Sequence, residues 1–300
     1  MNFKKNQSYF MLHDIYSNKE ISSRYSLKSF INKSTFIELA EEIQEHNKSM
    51  NNEIIITMDD GLAEHYWASN ILNELDIKTL IFVPTKPVFE NHLIHSHLIQ
   101  FLATSKSTLE ISNYIENYLI KEKTHPNEIK NLKLNKVLNS TWTKEMVFIT
   151  TSLRYSAATK IAKLLFQNFV SKEEKSNAKN LYMTPEDLKS LSNLSNVVIG
   201  GHGSYSDILT ETNSLKNEIE ESSKMLKKLS TNEKYFAYPN GIYNDAIIKM
   251  LKSNGFSKAF TTAYEDKNVI GQKNFKIKRI DIASLINTSN NRIKEIVRTF

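Results

Sequence analysis

Cysteine is absent from the 300 residues. That excludes disulfides, thiol nucleophiles and Cys-ligated zinc, leaving His, Asp and Glu as the strong ligands available to a metal. No apolar run reaches the roughly 18 residues needed to cross a bilayer. The opening Met1-Asn2-Phe3-Lys4-Lys5-Asn6-Gln7 lacks the apolar stretch of a secretory signal behind it, so a soluble, cytoplasmic protein is expected. A basic block with interleaved aromatics is also missing. The net charge is +6, but 34 of the 39 basic residues are lysines scattered along the chain. That argues against nucleic-acid binding and allows at most weak attraction to anionic glycan, lipid or sugar-nucleotide phosphates.

Glycine is scarce as well, with 7 in the chain where average usage is near 7%. Five of the seven fall in three short segments: Gly61; Gly200, Gly201 and Gly203 around His202; and Gly241 after Pro239-Asn240. A chain this sparing of glycine is expected to keep it where the backbone turns through positive φ or approaches another group closely. These segments are therefore candidates for one shared site. The first of them closes the run Ile54-Ile55-Ile56-Thr57-Met58-Asp59-Asp60-Gly61, in which β-branched residues deliver two adjacent carboxylates to the end of a buried strand. Neighbouring carboxylates repel unless a proton or cation lies between them, and a divalent metal is the natural partner.

An apolar content of 40% over this length is enough to bury a full core. Strand-like runs are read at residues 8–12, 54–58, 79–83, 197–200, 234–238, 258–262 and 276–282, about seven in all. Helical periodicity lies between them, at 34–46, 215–229 and from Asp245 to a stop at Gly255. Alternating strand and helix predicts a parallel α/β barrel or doubly wound sheet, with functional groups beyond the C-terminal strand ends. His13, Asp59, Asp60, His202 and Asn240 all obey that rule, and Arg279 sits on the last strand. About 95 residues between the third and fourth strands break the rhythm. They include 98–102, 109–119 and a predicted helix over 156–170, and suggest a helical insertion over about 86–180 in a single domain of residues 1–300. It would cover one side of the barrel, form a dimer contact, or act as a lid or substrate-recognition arm.

The segments Thr57-Met58-Asp59-Asp60-Gly61, Val198-Ile199-Gly200-Gly201-His202-Gly203 and Phe236-Ala237-Tyr238-Pro239-Asn240-Gly241-Ile242-Tyr243 resemble, in order and spacing, successive motifs of the polysaccharide deacetylase family. This is the family with the NodB homology domain, carbohydrate esterase family 4-like. Met183-Thr184-Pro185-Glu186-Asp187-Leu188 is similar to the helix before its first metal histidine, and the His13 segment to the end of its first strand. The resemblance implies a distorted parallel barrel of about seven strands, one divalent metal, and removal of an acetyl group from an amino sugar or esterified glycan. The metal would be zinc, with cobalt, nickel or manganese as alternatives. Asp59 would be the general base, Asp60 and His202 metal ligands, and Tyr238, Pro239 and Asn240 would face substrate, with backbone N–H groups beside Asn240 completing an oxyanion site. His13 would be a hydrogen-bonding or general-acid group or else a satisfied strand-end histidine. Arg279 would orient Asp59, bind substrate or pair with Asp281.

The chain also departs from that pattern. The family's second metal histidine falls at Ser206, Ala237 replaces the usual arginine ahead of the proline as in biosynthetic relatives, and no histidine lies beyond 202. Either Asp207 or one of His95 and His97, with His97 the chosen candidate of that pair, supplies a third ligand, or the metal site is lost. The expected function is N-deacetylation of an amino-sugar glycan or activated sugar in surface polysaccharide (O-antigen or capsule) biosynthesis. Weak association with membrane-linked glycan and a homo-oligomer are compatible with it. The alternative is a degenerate, non-catalytic member of the fold that binds a sugar or a protein partner.

Overall fold

The alternating runs form an eight-stranded parallel sheet in the computed structural model. It describes residues 6–16, 30–94, 97–98, 114, 117, 163–172, 175–176, 180–206, 209–210, 214–231, 233–262, 273–289 and 291–300. The strands are β1 (Asn6–Leu12), β2 (Asp14–Tyr16), β3 (Phe30–Asn32), β4 (Asn52–Asp59), β5 (Thr79–Val83), β6 (Val197–Gly201), β7 (Tyr235–Ala237), β8 (Lys258–Thr261), β9 (Ile277–Lys278) and β10 (Ile280–Asp281). The main sheet runs β10-β1-β4-β5-β6-β7-β8-β9, while β2 and β3 form a separate parallel pair that the sequence did not announce.

The last run, expected as one strand over 276–282, breaks at Arg279. Before the break β9 pairs with β8, and after it β10 pairs with β1, Phe10 lying opposite Ile280. One short stretch therefore joins both ends of the sheet into a nearly closed barrel, and seven sequence runs become eight strands. Tyr9, Ile55, Leu80, Phe82, Tyr235, Ala237 and Phe260 fill the interior. Tyr9 and Phe260 belong to strands that are not neighbours in the sheet, yet their rings meet edge to face at 5.1 Å. Ile54 through Asp59 are all buried, the pattern of a parallel strand covered on both faces.

Helices surround the barrel: α1 (Lys33–Ser49), α2 (Glu64–Glu74), α3 (Thr85–Glu90), α4 (Pro185–Leu191), α5 (Leu215–Lys228), α6 (Asp245–Ser253), α7 (Ile282–Thr288) and α8 (Ile293–Val297). Their starts follow local chemistry. Asn32 caps α1 by accepting from Thr35 N (2.8 Å), Asn244 caps α6 by accepting from Ile247 N (3.0 Å), and Thr184 with Asp187 forms a reciprocal capping box on α4. Helix α1 buries Phe36, Leu39, Ala40 and Ile43 on one stripe, within the periodic run read at 34–46.

The chain divides into two compact units, one of Met1–Asn18, Lys28–His92 and Asn180–Phe300, which holds the barrel, and one of Lys19–Leu27 and Leu93–Lys179. In the second unit residues 163–169 are helical, and Tyr114 packs edge to face on Phe169 at 5.2 Å. Most of the expected insertion, including 99–102, 109–113 and 156–162, lies outside the described residues. Among the described residues no helix is long and apolar enough to cross a membrane.

Candidate active site

A strand's period of two places Ile55, Thr57 and Asp59 on one face of β4, so the interior row ends in a carboxylate. Asp59 is 2% exposed, a position no lone carboxylate could hold in ionised form. Its partner arrives from the junction of β9 and β10. Arg279 donates from Nη1 to Asp59 Oδ1 at 2.6 Å and from Nη2 to Oδ2 at 2.7 Å, and its guanidinium lies over the Phe82 ring at 5.3 Å. Of the roles open to Arg279, the structure thus shows pairing with Asp59. Asp281 instead caps α7 by accepting from Ser284 N at 2.9 Å. Burial alone would raise the Asp59 carboxyl. The Arg279 charge and hydrogen bonds, with His202 and His13 nearby, outweigh it and hold the group well below the usual carboxylate range.

The next residue points elsewhere. Asp60 has φ +73°, a left-handed backbone that bends the chain out of β4, and Gly61 continues the turn at +64°. This bend brings Asp60 Oδ1 within 3.6 Å of His202 Nε2 and 3.0 Å of Ser206 Oγ, which donates to it. His202 directly follows β6. Its Nδ1 donates to the Ala237 carbonyl at 2.9 Å, which orients the ring and turns Nε2 toward the Asp60 carboxylate. The surrounding loop is held by Glu218 of α5, which accepts from Ser204 N at 2.5 Å, and by the start of α3, where Thr85 N and Lys86 N donate to the Gly203 and Ser204 carbonyls. Gly201 is needed here because a β-carbon would lie 2.8 Å from Ser222 Cβ and 3.1 Å from the Phe236 ring.

His13, in the single-residue gap between β1 and β2, places Nε2 3.8 Å from Asp59 Oδ2. Its carbonyl accepts from His65 Nε2 at 2.7 Å. His65 lies in the first turn of α2 and is fully buried, and burial pushes its imidazole down to about 4, so it is neutral with the proton on Nε2. The sequence reading missed His65: within a helical pattern, nothing but its nearness to the Asp-Asp-Gly turn marked it. Beside His13, burial lifts the Asp14 carboxyl to about 7, opposed by His13 and reinforced by Asp60 and Glu64.

Tyr238-Pro239-Asn240-Gly241 forms a tight turn after β7. Tyr238 is fully buried, donates to the Phe275 carbonyl at 3.0 Å and stacks on Tyr243 at 4.8 Å. It supports the turn from below instead of facing substrate as expected. Asn240 is exposed with φ +54°. The N–H groups of Gly241 and Ile242 are engaged inside the turn, by Tyr238 O (2.8 Å) and Pro239 O (3.2 Å). Asn240 is thereby the exposed residue of a turn whose other members, Tyr238, Pro239 and Gly241, are buried.

The Asp60 carboxylate and His202 Nε2 face one another, the two donor types a divalent cation could take from this site. Among the described residues no third His, Cys, Asp or Glu joins them to complete a metal-binding group. Asp207 and His95 lie outside the described residues, and His97 is a buried residue of the second unit. A divalent ion here would meet the Asp60 carboxylate and the His202 imidazole, with the Ser206 hydroxyl beside them.

Comparison with known proteins gives a consistent result. A family model described as Polysaccharide deacetylase matches residues 46–259. No curated protein matches the chain. Among solved structures, a polysaccharide deacetylase from Bacillus cereus superposes with TM-score 0.53 at 12% identity, over 93% of this chain and 66% of that one, so this chain spans just under two thirds of that protein. A de-N-acetylase from Aggregatibacter actinomycetemcomitans gives 0.53 at 11% identity, over 97% and 99% of the two chains. A Streptococcus pyogenes deacetylase in complex with acetate gives 0.50 at 14%, over 94% and 97%. At these identities the structural likeness establishes the fold.

Proposed function

The chain belongs to the polysaccharide deacetylase family, and from that premise we propose that it hydrolyses the N-acetyl group of an amino sugar, in a glycan or activated precursor of a surface polysaccharide. The observation that carries the reading is the pair of carboxylates with divided roles. Asp59 is kept ionised by Arg279, and Asp60 is turned toward the His202 imidazole. The biosynthetic setting is supported by the resemblance at Ala237.

A divalent cation held by Asp60 and His202 would supply Lewis acidity toward the attacking water and the acetyl carbonyl. Asp59 takes the proton that water gives up as its oxygen bonds to the carbonyl carbon. Any carboxylate is a weak base toward bulk water of pKa about 15.7, so this role for Asp59 calls for a water acidified by the cation. Arg279 fixes both Asp59 oxygens and prevents the carboxylate from rotating. His13, 3.8 Å from Asp59 Oδ2, would return a proton to the sugar nitrogen as the C–N bond breaks, giving acetate and a free amine. The exposed Asn240 turn lies beyond β7 to contact the acetyl oxygen or the sugar.

Acetate release from a panel of N-acetylated oligosaccharides and nucleotide sugars, with zinc, cobalt, nickel or manganese supplied, tests the proposal. Release that a chelator abolishes is expected. One observation favours a second reading, a sugar-binding member without turnover: Ser206 stands where the resemblance implies a histidine ligand. Saturable glycan binding, indifferent to chelator and without acetate release, would select that reading.

A further inference from the structure

Ser206 is held in the left-handed backbone region, φ +59°, as is Asp60 at +73°. For a residue with a side chain this conformation costs on the order of 1 kcal/mol, which glycine avoids. The turn nevertheless carries a hydroxyl, and the hydroxyl is aimed at the Asp60 oxygen that also faces His202. Oγ lies 3.0 Å from Asp60 Oδ1, and Nε2 of His202 lies 3.6 Å from the same atom. Donors bound to one ion at about 2.0–2.4 Å are separated by roughly 2.8–3.9 Å, depending on the angle between them. Both separations fall in that interval.

Resting on the metal-dependent reading above, we infer that Ser206 Oγ is the third protein donor of the cation site, making it a carboxylate–imidazole–hydroxyl set. The hydroxyl proton that now bonds Asp60 turns outward when an ion is bound, and an oxygen lone pair takes its place. Exchanging an imidazole for a neutral hydroxyl weakens the site for zinc and leaves two hard oxygens to one nitrogen, a set that suits manganese. The inference assigns the site a metal preference shifted away from zinc by one residue.

The test is metal binding by the full chain, stripped and then titrated with Mn²⁺, followed by electron paramagnetic resonance, and with Zn²⁺, followed by calorimetry. Wild type is compared with Ser206→Gly, which removes the hydroxyl while relaxing the backbone, with Ser206→His, and with Asp207→Asn. Wild type should take one Mn²⁺. Ser206→Gly should lose at least about tenfold in Mn²⁺ affinity, the lower end of what even an outer partner of a ligand is worth. Ser206→His should gain at least about tenfold for Zn²⁺, and Asp207→Asn should match wild type. Unchanged Mn²⁺ binding in Ser206→Gly overturns the assignment, as does a loss in Asp207→Asn alone. Zinc binding by Ser206→His without any metal on wild type also overturns it, showing a site the serine abolished while sparing the family reading. No metal on any variant removes both the assignment and the metal-dependent reading.

Discussion

Replacing Arg279 with methionine leaves the Asp59 carboxylate buried without its counter-charge. The contact is bidentate at 2.6 and 2.7 Å, and the two side chains are 0% and 3% exposed, so water cannot stand in for the lost donors. Removing one member of such a pair costs about 3–5 kcal/mol, mostly the penalty of the charge left behind. The pH dependence has a definite sign. In the native protein the Asp59 carboxyl lies below its ordinary value of 3.8, so the pair contributes fully above about pH 4 and fades as pH falls further. In Arg279→Met burial, the largest influence, is opposed only by His202 and His13 and raises the carboxyl, so the folded variant loses stability as pH rises. The difference between the two proteins therefore grows from pH 4 to pH 7. Urea unfolding of wild type, Arg279→Met, Asp59→Asn and the double variant at both pH values measures it, with a coupling of about 2–3 kcal/mol expected at pH 7. A loss under about 1 kcal/mol at pH 7, or one unchanged when Asp59 is already Asn, would refute a buried, mutually dependent pair.

Asp14, lifted by burial to about 7, favours folding below its ordinary value of 3.8 and loses that contribution as pH rises through about 7. Asp14→Asn should thus raise Tm at pH 8 and leave it unchanged below pH 4, and a pH-independent offset would count against the assignment. His65→Leu removes the donor to the His13 carbonyl, while His65→Gln keeps one in reach. The Leu variant should lose about 10²-fold in kcat with KM little altered, and Gln should recover part of it; equal losses would show that only the shape of His65 matters. In Gly201→Ala the added carbon meets Ser222 Cβ at 2.8 Å, costing about 1–3 kcal/mol by thermal unfolding. Ser222→Gly on the same background should restore part of that loss.

The barrel was legible because buried parallel strands are apolar throughout, and β5 coincides with the run read at 79–83. The break at Arg279 was not: local composition cannot say that one end of a run pairs with β8 and the other with β1. Strands β2 and β3 are 3 residues each, too short for periodicity to register. Asp59, Asp60 and His202 were legible as a motif, and the structure brings them together as expected. Which partner Arg279 takes, and the service of Tyr238 as a buried prop for its turn, depend on contacts across 220 and 37 residues of sequence. His65 carried no motif at all, since a buried histidine on a helix resembles any other polar residue until its partner is known.

The central claim is that Asp60 and His202 hold a metal while Asp59 serves the chemistry beside it. The most direct measurement is acetate release and bound metal, followed together on stripped and reloaded wild type, Asp59→Asn and His202→Ala. The account predicts about one metal and chelator-reversible turnover in wild type. It predicts retained metal with turnover down at least about 10²-fold in Asp59→Asn, and loss of both in His202→Ala. Turnover that survives complete metal removal, or that persists in Asp59→Asn, would contradict it.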